Sequence, residues 1–546
     1  MGQRFRHWES RSDITPKTLT ELQDILQGNR QFTPVLQLHY GDHGLQDAFY
    51  AMKTAIQEQR KIALYADYDV DGTMSCVSWI WFFESIGFHN YTYYIPDRFR
   101  EGYGVNLEAV QYLVRERQAE LILTMDTGIT ANVEATWCRE NGVTFICTDH
   151  HKIQPDKMPD CLILNPRTHP DPDYQELCGC GITFVLLRKL GEVFQVSPDV
   201  WNDILALTGM ATICDVVPLN GVNHRLVQYG VQALLRSERP VLRRLLQAAS
   251  AGDQQLNEQD VGFRLGPRIN AVGRLGHASQ VVRAFIHENP DPLIQHMSLC
   301  NEQRKSIQAD IVREARELAH ACQDDPVLFL GGDWHQGVVG IAASKIAEEF
   351  WKPVWLFSRQ EKICRGSARS LPGFDVTEAM GAAASFFDKF GGHKAAGGFS
   401  FIPDHEDSIR QELIRFAGDI RQRQPDLWES RIAFDCHLPS EFLNLRLSGF
   451  LDQLRPFGHG FEEPLFLLRS KIQSVQFYRD KKTGEERHTA VHVCTGDKIH
   501  KIMFFNDVHR SLEAGQAAEF LVTAGKNYWN GQMSLSLMGR DFRLFH

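Results

Sequence analysis

The sequence predicts an α/β protein: a parallel-sheet domain, a connecting helix, a smaller α/β domain and a C-terminal all-β barrel. Three observations carry this. Four short apolar segments in the first third are separated by stretches of helical periodicity, each long enough for one crossover helix. A strand, helix, strand pattern recurs beyond residue 322. The remainder then changes to short alternating strands divided by turn residues.

The four apolar segments are 62–66, 91–95, 121–124 and 143–147, and each reads as a buried strand of a parallel sheet. From about 202 to 246 the pattern is helical. Residues 300–321 carry mixed charges at helical spacing, as a connector between domains would. The second α/β unit starts at Val327, continues through a helix over 340–350 and a strand over 354–357, and ends in the glycine-rich Gly391–Gly398 stretch. A charged helical segment over 404–424 leads into the all-β part, where Asn530-Gly531 between two alternating segments signals a hairpin. The expected domains are therefore 1–300, a connecting helix 301–322, 323–415, and 416–546. No internal repeat or low-complexity tract is apparent.

At 546 residues the chain is too long for one core. Its 43% hydrophobic and 23% charged content is that of an ordinary globular protein, which excludes a disordered chain. The net charge of -10 is not that of a basic nucleic-acid-binding domain. A nucleic-acid enzyme of this charge needs a local basic channel, and divalent cations before a phosphate can approach its acidic site. Twelve cysteines include no Cys-x-x-Cys, and the closest pair is Cys178 and Cys180, so reduced thiols of a cytosolic protein are expected rather than zinc or disulfides. The N-terminal residues lack the apolar core of a signal peptide, and runs such as 77–83 are too short for a membrane span, so a cytoplasmic protein without membrane attachment is expected.

In an open parallel sheet the ligand crevice lies beyond the carboxyl ends of the strands. Asp67 and Asp69 follow the first segment, Asp126 the third, and Asp149, His150 and His151 the fourth, while Asp215 ends an apolar helical stretch over 204–213. Taken alone, an Asp-x-Asp before glycine is more often a turn or a cap, and adjacent histidines are more often packing. Their joint occurrence after successive strands predicts one two-metal phosphoesterase site. Asp126 is the expected bridge between the ions, Asp67 holds one, and Asp69, His150 and Asp215 hold the other. Carboxylates mixed with an imidazole suit Mn2+ or Mg2+, the imidazole tilting the choice toward manganese. His151 is expected to contact the scissile phosphate or protonate the leaving group. Asp71 is expected to be a helix N-cap, with Gly72 turning the chain into a helix that begins near Thr73.

Asp67-Tyr68-Asp69-Val70-Asp71-Gly72, Met125-Asp126-Thr127-Gly128, Asp149-His150-His151, Ile213-Cys214-Asp215-Val216-Val217-Pro218-Leu219 and Arg268-Ile269-Asn270-Ala271-Val272-Gly273-Arg274 resemble the successive motifs of the DHH phosphoesterase superfamily. Gly391-Gly392-His393 with Ala395-Ala396-Gly397 resembles the signature of its companion DHHA1 domain. Within the superfamily, 95–104, 335–341 and 454–460 resemble the RecJ family of single-strand-specific 5′ to 3′ DNA exonucleases. The resemblance implies that Asp67, Asp69, Asp126, His150 and Asp215 are metal ligands for two ions, Mn2+ or Mg2+, and that His151 touches phosphate. It also implies single-stranded DNA as substrate, a single-strand DNA-binding protein and a RecQ-like helicase as partners, and a monomer. One departure is Tyr65, which stands where some members carry a histidine two residues before the first motif aspartate; there it implies a more weakly held first ion.

Arg268, Asn270 and Arg274 are expected to hold backbone phosphates. Arg98 and Arg100 are interleaved with Phe99 and Tyr103, a pattern that pairs guanidinium charge with stacking. Arg98, Ser367 and Arg369 are expected to form a 5′-phosphate pocket, and the glycines around Gly392 and His393 to let backbone amides approach a phosphate. The last domain fits an OB-fold, with Phe477, Tyr478, Lys481, Lys482, Tyr528 and Trp529 as candidates for its binding face. Two other readings share the motifs: a phosphodiesterase for short oligonucleotides or cyclic dinucleotides, and a non-catalytic scaffold. The long strand-rich extension argues against the first, and the full set of carboxylates against the second.

Overall fold

The computed structural model describes residues 5–30, 40–250, 256–360, 362–480, 483–495, 498–529 and 532–545. The chain divides into two compact units, one of residues 32–305 and 456–462, the other of 1–31, 306–455 and 463–546. The N-terminal segment, expected to extend the first domain, belongs instead to the second unit. Its strand β1 (His7–Ser10) pairs there with a strand more than 400 residues away, and Arg30 is bonded to Asp435.

The first unit is built on β2 (Ile62–Ala66), β3 (Tyr91–Tyr94), β4 (Leu121–Met125), β5 (Thr144–Thr148) and β6 (Leu162–Leu164), ordered β3-β2-β4-β5-β6 with every pair parallel. Four of these are the expected strands to within a residue; the three-residue β6 was not foreseen. Both faces are covered, so the period-2 alternation of a strand divides β2 between two cores. Ile62, Leu64 and Ala66 pack on one side and Ala63 and Tyr65 on the other. The helix Val70–Ser85 is buried all round from Val70 to Phe83, as an apolar helix without a polar face must be.

A 31-residue helix, Asp291–Ala321, starts nine residues before the expected connector. The second unit then contains β7 (Leu328–Gly332), β8 (Val354–Ser358), β9 (Cys364–Arg369), β10 (Lys389–His393) and β11 (Ala396–Phe401), in the order β10-β11-β9-β8-β7. β7 and β8 are parallel across the helix Val339–Phe350, and the other pairs are antiparallel. Helix Glu406–Arg423 buries Ile409, Leu413 and Ala417 in the core of this sheet. It is part of the α/β domain rather than a lead-in to the barrel.

After β12 (Arg431–Phe434) and β13 (Cys436–His437) come β14 (Phe466–Arg479), β15 (Glu486–Thr495), β16 (Lys498–Phe504), β17 (Ala517–Trp529) and β18 (Gln532–Leu544). The order β14-β15-β16-β18-β17 closes through β14–β17, with β16 and β18 parallel, which is an OB-type barrel. Asn530-Gly531, the expected hairpin turn, lies outside the described residues; the flanking strands pair antiparallel, with Trp529 opposite Gln532. Lys481 and Lys482 also lie outside them, as do the side chains of Tyr528 and Trp529. Tyr478 is exposed and Phe477 half-buried. Among the described residues no helix is long and apolar enough to cross a membrane.

Candidate active site

Three strands and two helix ends of the first unit deliver the site. Just past β2, Asp67 donates its amide to Met125 O, while Asp69 caps the helix Val70–Ser85 through Oδ1, which accepts from the amides of Asp71 (2.9 Å) and Gly72 (3.2 Å). The cap is therefore Asp69, and the helix begins at Val70 rather than near Thr73. Gly72 serves by close approach, not by turning: a Cβ there would press into the Asp67 backbone. Asp71, fully buried, accepts from Gly179 N (2.5 Å) and Cys180 N (2.8 Å), the first amides of the helix Gly179–Leu190.

Past β4, Asp126 sits at φ 59°, a left-handed conformation that costs a non-glycine residue strain and is concentrated at functional sites. Past β5, Asp149 accepts from Ile129 N (2.9 Å) and from His151 at both the amide (3.1 Å) and Nδ1 (2.7 Å), so it orients the His151 ring. Burial pushes the Asp149 carboxyl up, but the His151 hydrogen bond and charge outweigh it and hold the group below its usual range. Asp215 ends the helix Pro198–Cys214, and the β-branched Val216 after it turns the chain at φ 59°.

These side chains meet. His150 Nε2 lies 3.0 Å from Asp126 Oδ1, 3.5 Å from Asp215 Oδ2 and 3.7 Å from Asp71 Oδ2. Ligand atoms within 4.8 Å of one another form three overlapping groups: Asp67, Asp69 and Asp126; Asp71, His150 and Asp215; and Asp126, His150 and His151. Asp126 and His150 each belong to two of them. Asp69 groups with Asp67 rather than with His150 and Asp215. Asp71, read from the sequence as a cap, completes the second group instead.

Burial first, and then neighbouring carboxylates, pushes the Asp67, Asp126 and Asp215 carboxyls well above the usual range. Asp67 Oδ1 and Asp126 Oδ1 are buried without a hydrogen bond among the described residues. Crowded, desolvated carboxylate oxygens, two of them without a hydrogen bond, with the His150 and His151 imidazoles beside them, fit hard divalent cations.

The carboxylates floor a cavity of about 270 Å³ whose walls include Arg98, Tyr103, Asn270 and Arg274. The Arg98 guanidinium lies 4.9 Å over the Tyr68 ring. Tyr103, considered from the sequence only for stacking, has its hydroxyl 3.0 Å from His151 Nε2. Asn270 and Arg274 are four residues apart on the helix Gly266–Leu275 and share a face. Arg268 is not among the cavity residues; its guanidinium is bonded to the carbonyls of Arg264 and Ala248. Tyr65 is fully buried, donating to Gly104 O (3.2 Å) and stacked on Tyr94.

The other predicted phosphate contacts belong to the second unit. Arg369 on β9 donates to Ser367 Oγ (2.6 Å) and Ser344 Oγ (2.9 Å). Gly392 and His393 form no loop: they lie on the exposed strand β10, with Gly391 opposite Gly398 and Gly392 opposite Gly397.

Family models match three segments: the DHH family N-terminal domain over residues 61–212, the DHHA1 domain over 324–419 and the RecJ OB domain over 434–541. The chain is 31% identical over 451 residues to the single-stranded-DNA-specific exonuclease RecJ of Salmonella typhimurium, covering 78% of this chain and 77% of that protein. It is 30% identical over 514 residues to the RecJ of Bacillus subtilis, covering 91% of this chain and 63%, under two thirds, of that relative's length. Among solved structures, RecJ of Thermus thermophilus in complex with Mn2+ aligns with a TM-score of 0.83 at 26% identity, over 98% of this chain and 79% of that one. An exonuclease RecJ bound to manganese aligns with a TM-score of 0.62 at 30% identity, over 70% and 96%. With all three domain models in RecJ order and this identity over most of its length, the chain belongs to the RecJ family of DHH phosphoesterases.

Proposed function

We propose that this chain is a metal-dependent exonuclease that degrades single-stranded DNA from the 5′ end, releasing mononucleotides by two-metal phosphodiester hydrolysis. The observation that carries the reading is the convergence of Asp67, Asp69, Asp71, Asp126, His150 and Asp215 into overlapping ligand groups that share Asp126 and His150. Relatives named as single-stranded-DNA-specific exonucleases support the substrate. When bound, a pair of divalent ions supplies Lewis-acid charge and an acidified water.

The chain's own residues do the rest. Asp149 takes the Nδ1 side of His151 and fixes the ring, so that His151 serves as proton donor to the leaving oxygen. Arg98, Asn270 and Arg274 line the cavity and hold phosphate oxygens. Ser367 and Arg369, held together on β9, are proposed phosphate contacts of the DHHA1 domain. Their side of the reading sinks if a double alanine variant keeps the full preference for 5′-phosphorylated ends. The family reading extends to DNA repair and recombination, to a cytoplasmic monomer, and to a single-strand DNA-binding protein and a RecQ-like helicase as partners.

The test is digestion of a long single strand labelled separately at each end, with manganese, magnesium or chelator. Mononucleotide released first from the 5′-labelled strand, and no release with chelator, is the expected result. Hydrolysis confined to oligonucleotides of a few residues or to cyclic dinucleotides overturns it in favour of the short-substrate phosphodiesterase.

A further inference from the structure

A continuous helical stretch runs from Glu258 to Leu275, and its middle turn, Val261–Leu265, is a π-turn. Such turns insert a residue at the expense of hydrogen-bond geometry and are frequent at functional sites. This one is fastened from several sides. Gly266 N donates to Val261 O; Arg264 is paired with Asp260 at 3.1 Å; and the Arg268 guanidinium donates to Arg264 O and, at 3.1 Å, to Ala248 O. Arg268 therefore holds the π-turn.

The turn carries Phe263, which at 81% is the most exposed large apolar side chain among the described residues. Leaving a phenyl ring in water forfeits the burial that ordinarily stabilises it. Seven residues on, about 10 Å of helix rise, the same helix supplies Asn270 and then Arg274 to the carboxylate cavity. Its neighbour Arg264 is also half exposed, with its guanidinium paired to Asp260.

We infer that Phe263 is a stacking platform for a nucleobase of the bound strand, within the first few nucleotides of the scissile phosphate, held out of the core by the π-turn. A strand degraded without sequence preference has to be gripped by features every base shares, and a π-face is one of them. This inference rests on the proposed exonuclease function. It also gives Arg268 a role as a positioning residue for Phe263 rather than a phosphate contact.

The test uses the full chain and 5′-phosphorylated single strands that carry one abasic site, moved position by position from the 5′ end. Wild type is expected to show raised KM when the missing base falls at one register. Phe263→Ala is expected to raise KM on the intact strand about fivefold to 150-fold with kcat little changed, and to abolish that register's penalty. Phe263→Trp is expected to restore both. Phe263→Ala with wild-type KM, or with the abasic penalty intact, overturns the inference, and so does a folded Phe263→Trp that fails to rescue. A wild-type chain that degrades no single strand overturns the functional reading itself.

Discussion

Gly179→Ala tests whether backbone packing sets the catalytic geometry, since Gly179 is assigned no contact with metal or substrate. A Cβ at this position would lie 2.7 Å from Asp126 Cβ, 3.0 Å from Asp126 Cα and 3.0 Å from Asp71 Oδ2. Carbon atoms pack at about 3.5–4.0 Å, so the added methyl and Asp126 must separate by about 0.8–1.3 Å. Gly179 is anchored by its amide to Asp71, and the helix behind it is buried from Cys180 to Leu187. The displacement therefore falls on Asp126, already strained at φ 59°. A shift of this size at a reacting centre costs about a hundredfold in rate, while overpacking costs about 1–3 kcal/mol of stability. The assay is kcat/KM on a 5′-labelled single strand at saturating manganese, beside thermal denaturation. Gly181→Ala is the control: its Cβ would meet the flexible Leu177 Cδ2 at 3.1 Å, so activity is expected to stay within about twofold of wild type. A folded Gly179→Ala with wild-type kcat/KM would refute the reasoning.

Asp126→Ala is expected to abolish hydrolysis with manganese or magnesium; appreciable turnover in the same end-label assay removes its bridging role. Asp149→Asn is expected to lower kcat about tenfold to a hundredfold through loss of His151 orientation, with calorimetric manganese affinity unchanged. Affinity falling in step with kcat would make Asp149 a ligand instead. Arg30→Ala removes the two bonds of 2.7 and 2.9 Å that hold the Asp435 carboxylate, both side chains being 1% exposed, and leaves it the Arg11 guanidinium at 3.9 Å. The expected loss is about 3–5 kcal/mol in urea unfolding of the second unit, and less than about 1 kcal/mol would show that Arg11, Asn29 and the Leu465 amide suffice.

Ile62–Ala66, Leu121–Met125 and Thr144–Thr148 of the first sheet were readable because burial on both faces makes each a largely apolar run. Leu162–Leu164 escaped because three apolar residues are too short a run to read as a strand, and the other strands that escaped lack the signal altogether. Cys364–Arg369 spells Cys-Arg-Gly-Ser-Ala-Arg, and Lys389–His393 is exposed along its whole length, so neither alternates in hydrophobicity. His7–Ser10 is a strand only because Arg431–Phe434 pairs with it, and no local pattern reports a partner that distant.

The same distinction runs through the site. Asp67, Asp126, His150 and His151 follow strand ends, where parallel-sheet topology alone brings distant residues together, and a sequence shows where strands end. Residues placed by helix termini are harder to read, because a shift of two positions in the helix start exchanges their roles. Asp69 and Asp71 are both acidic and both near that start. Which one caps and which one joins His150 and Asp215 is decided by the Gly179 and Cys180 amides, more than a hundred residues away. Arg268 and Arg274 differ in the same manner: helical phase carries Arg274 into the cavity and leaves Arg268 on the carbonyls of Arg264 in the π-turn and Ala248 outside it. The parts of this site that depend on strand topology are therefore fixed by local sequence, and those that depend on helix phase are fixed by tertiary hydrogen bonds.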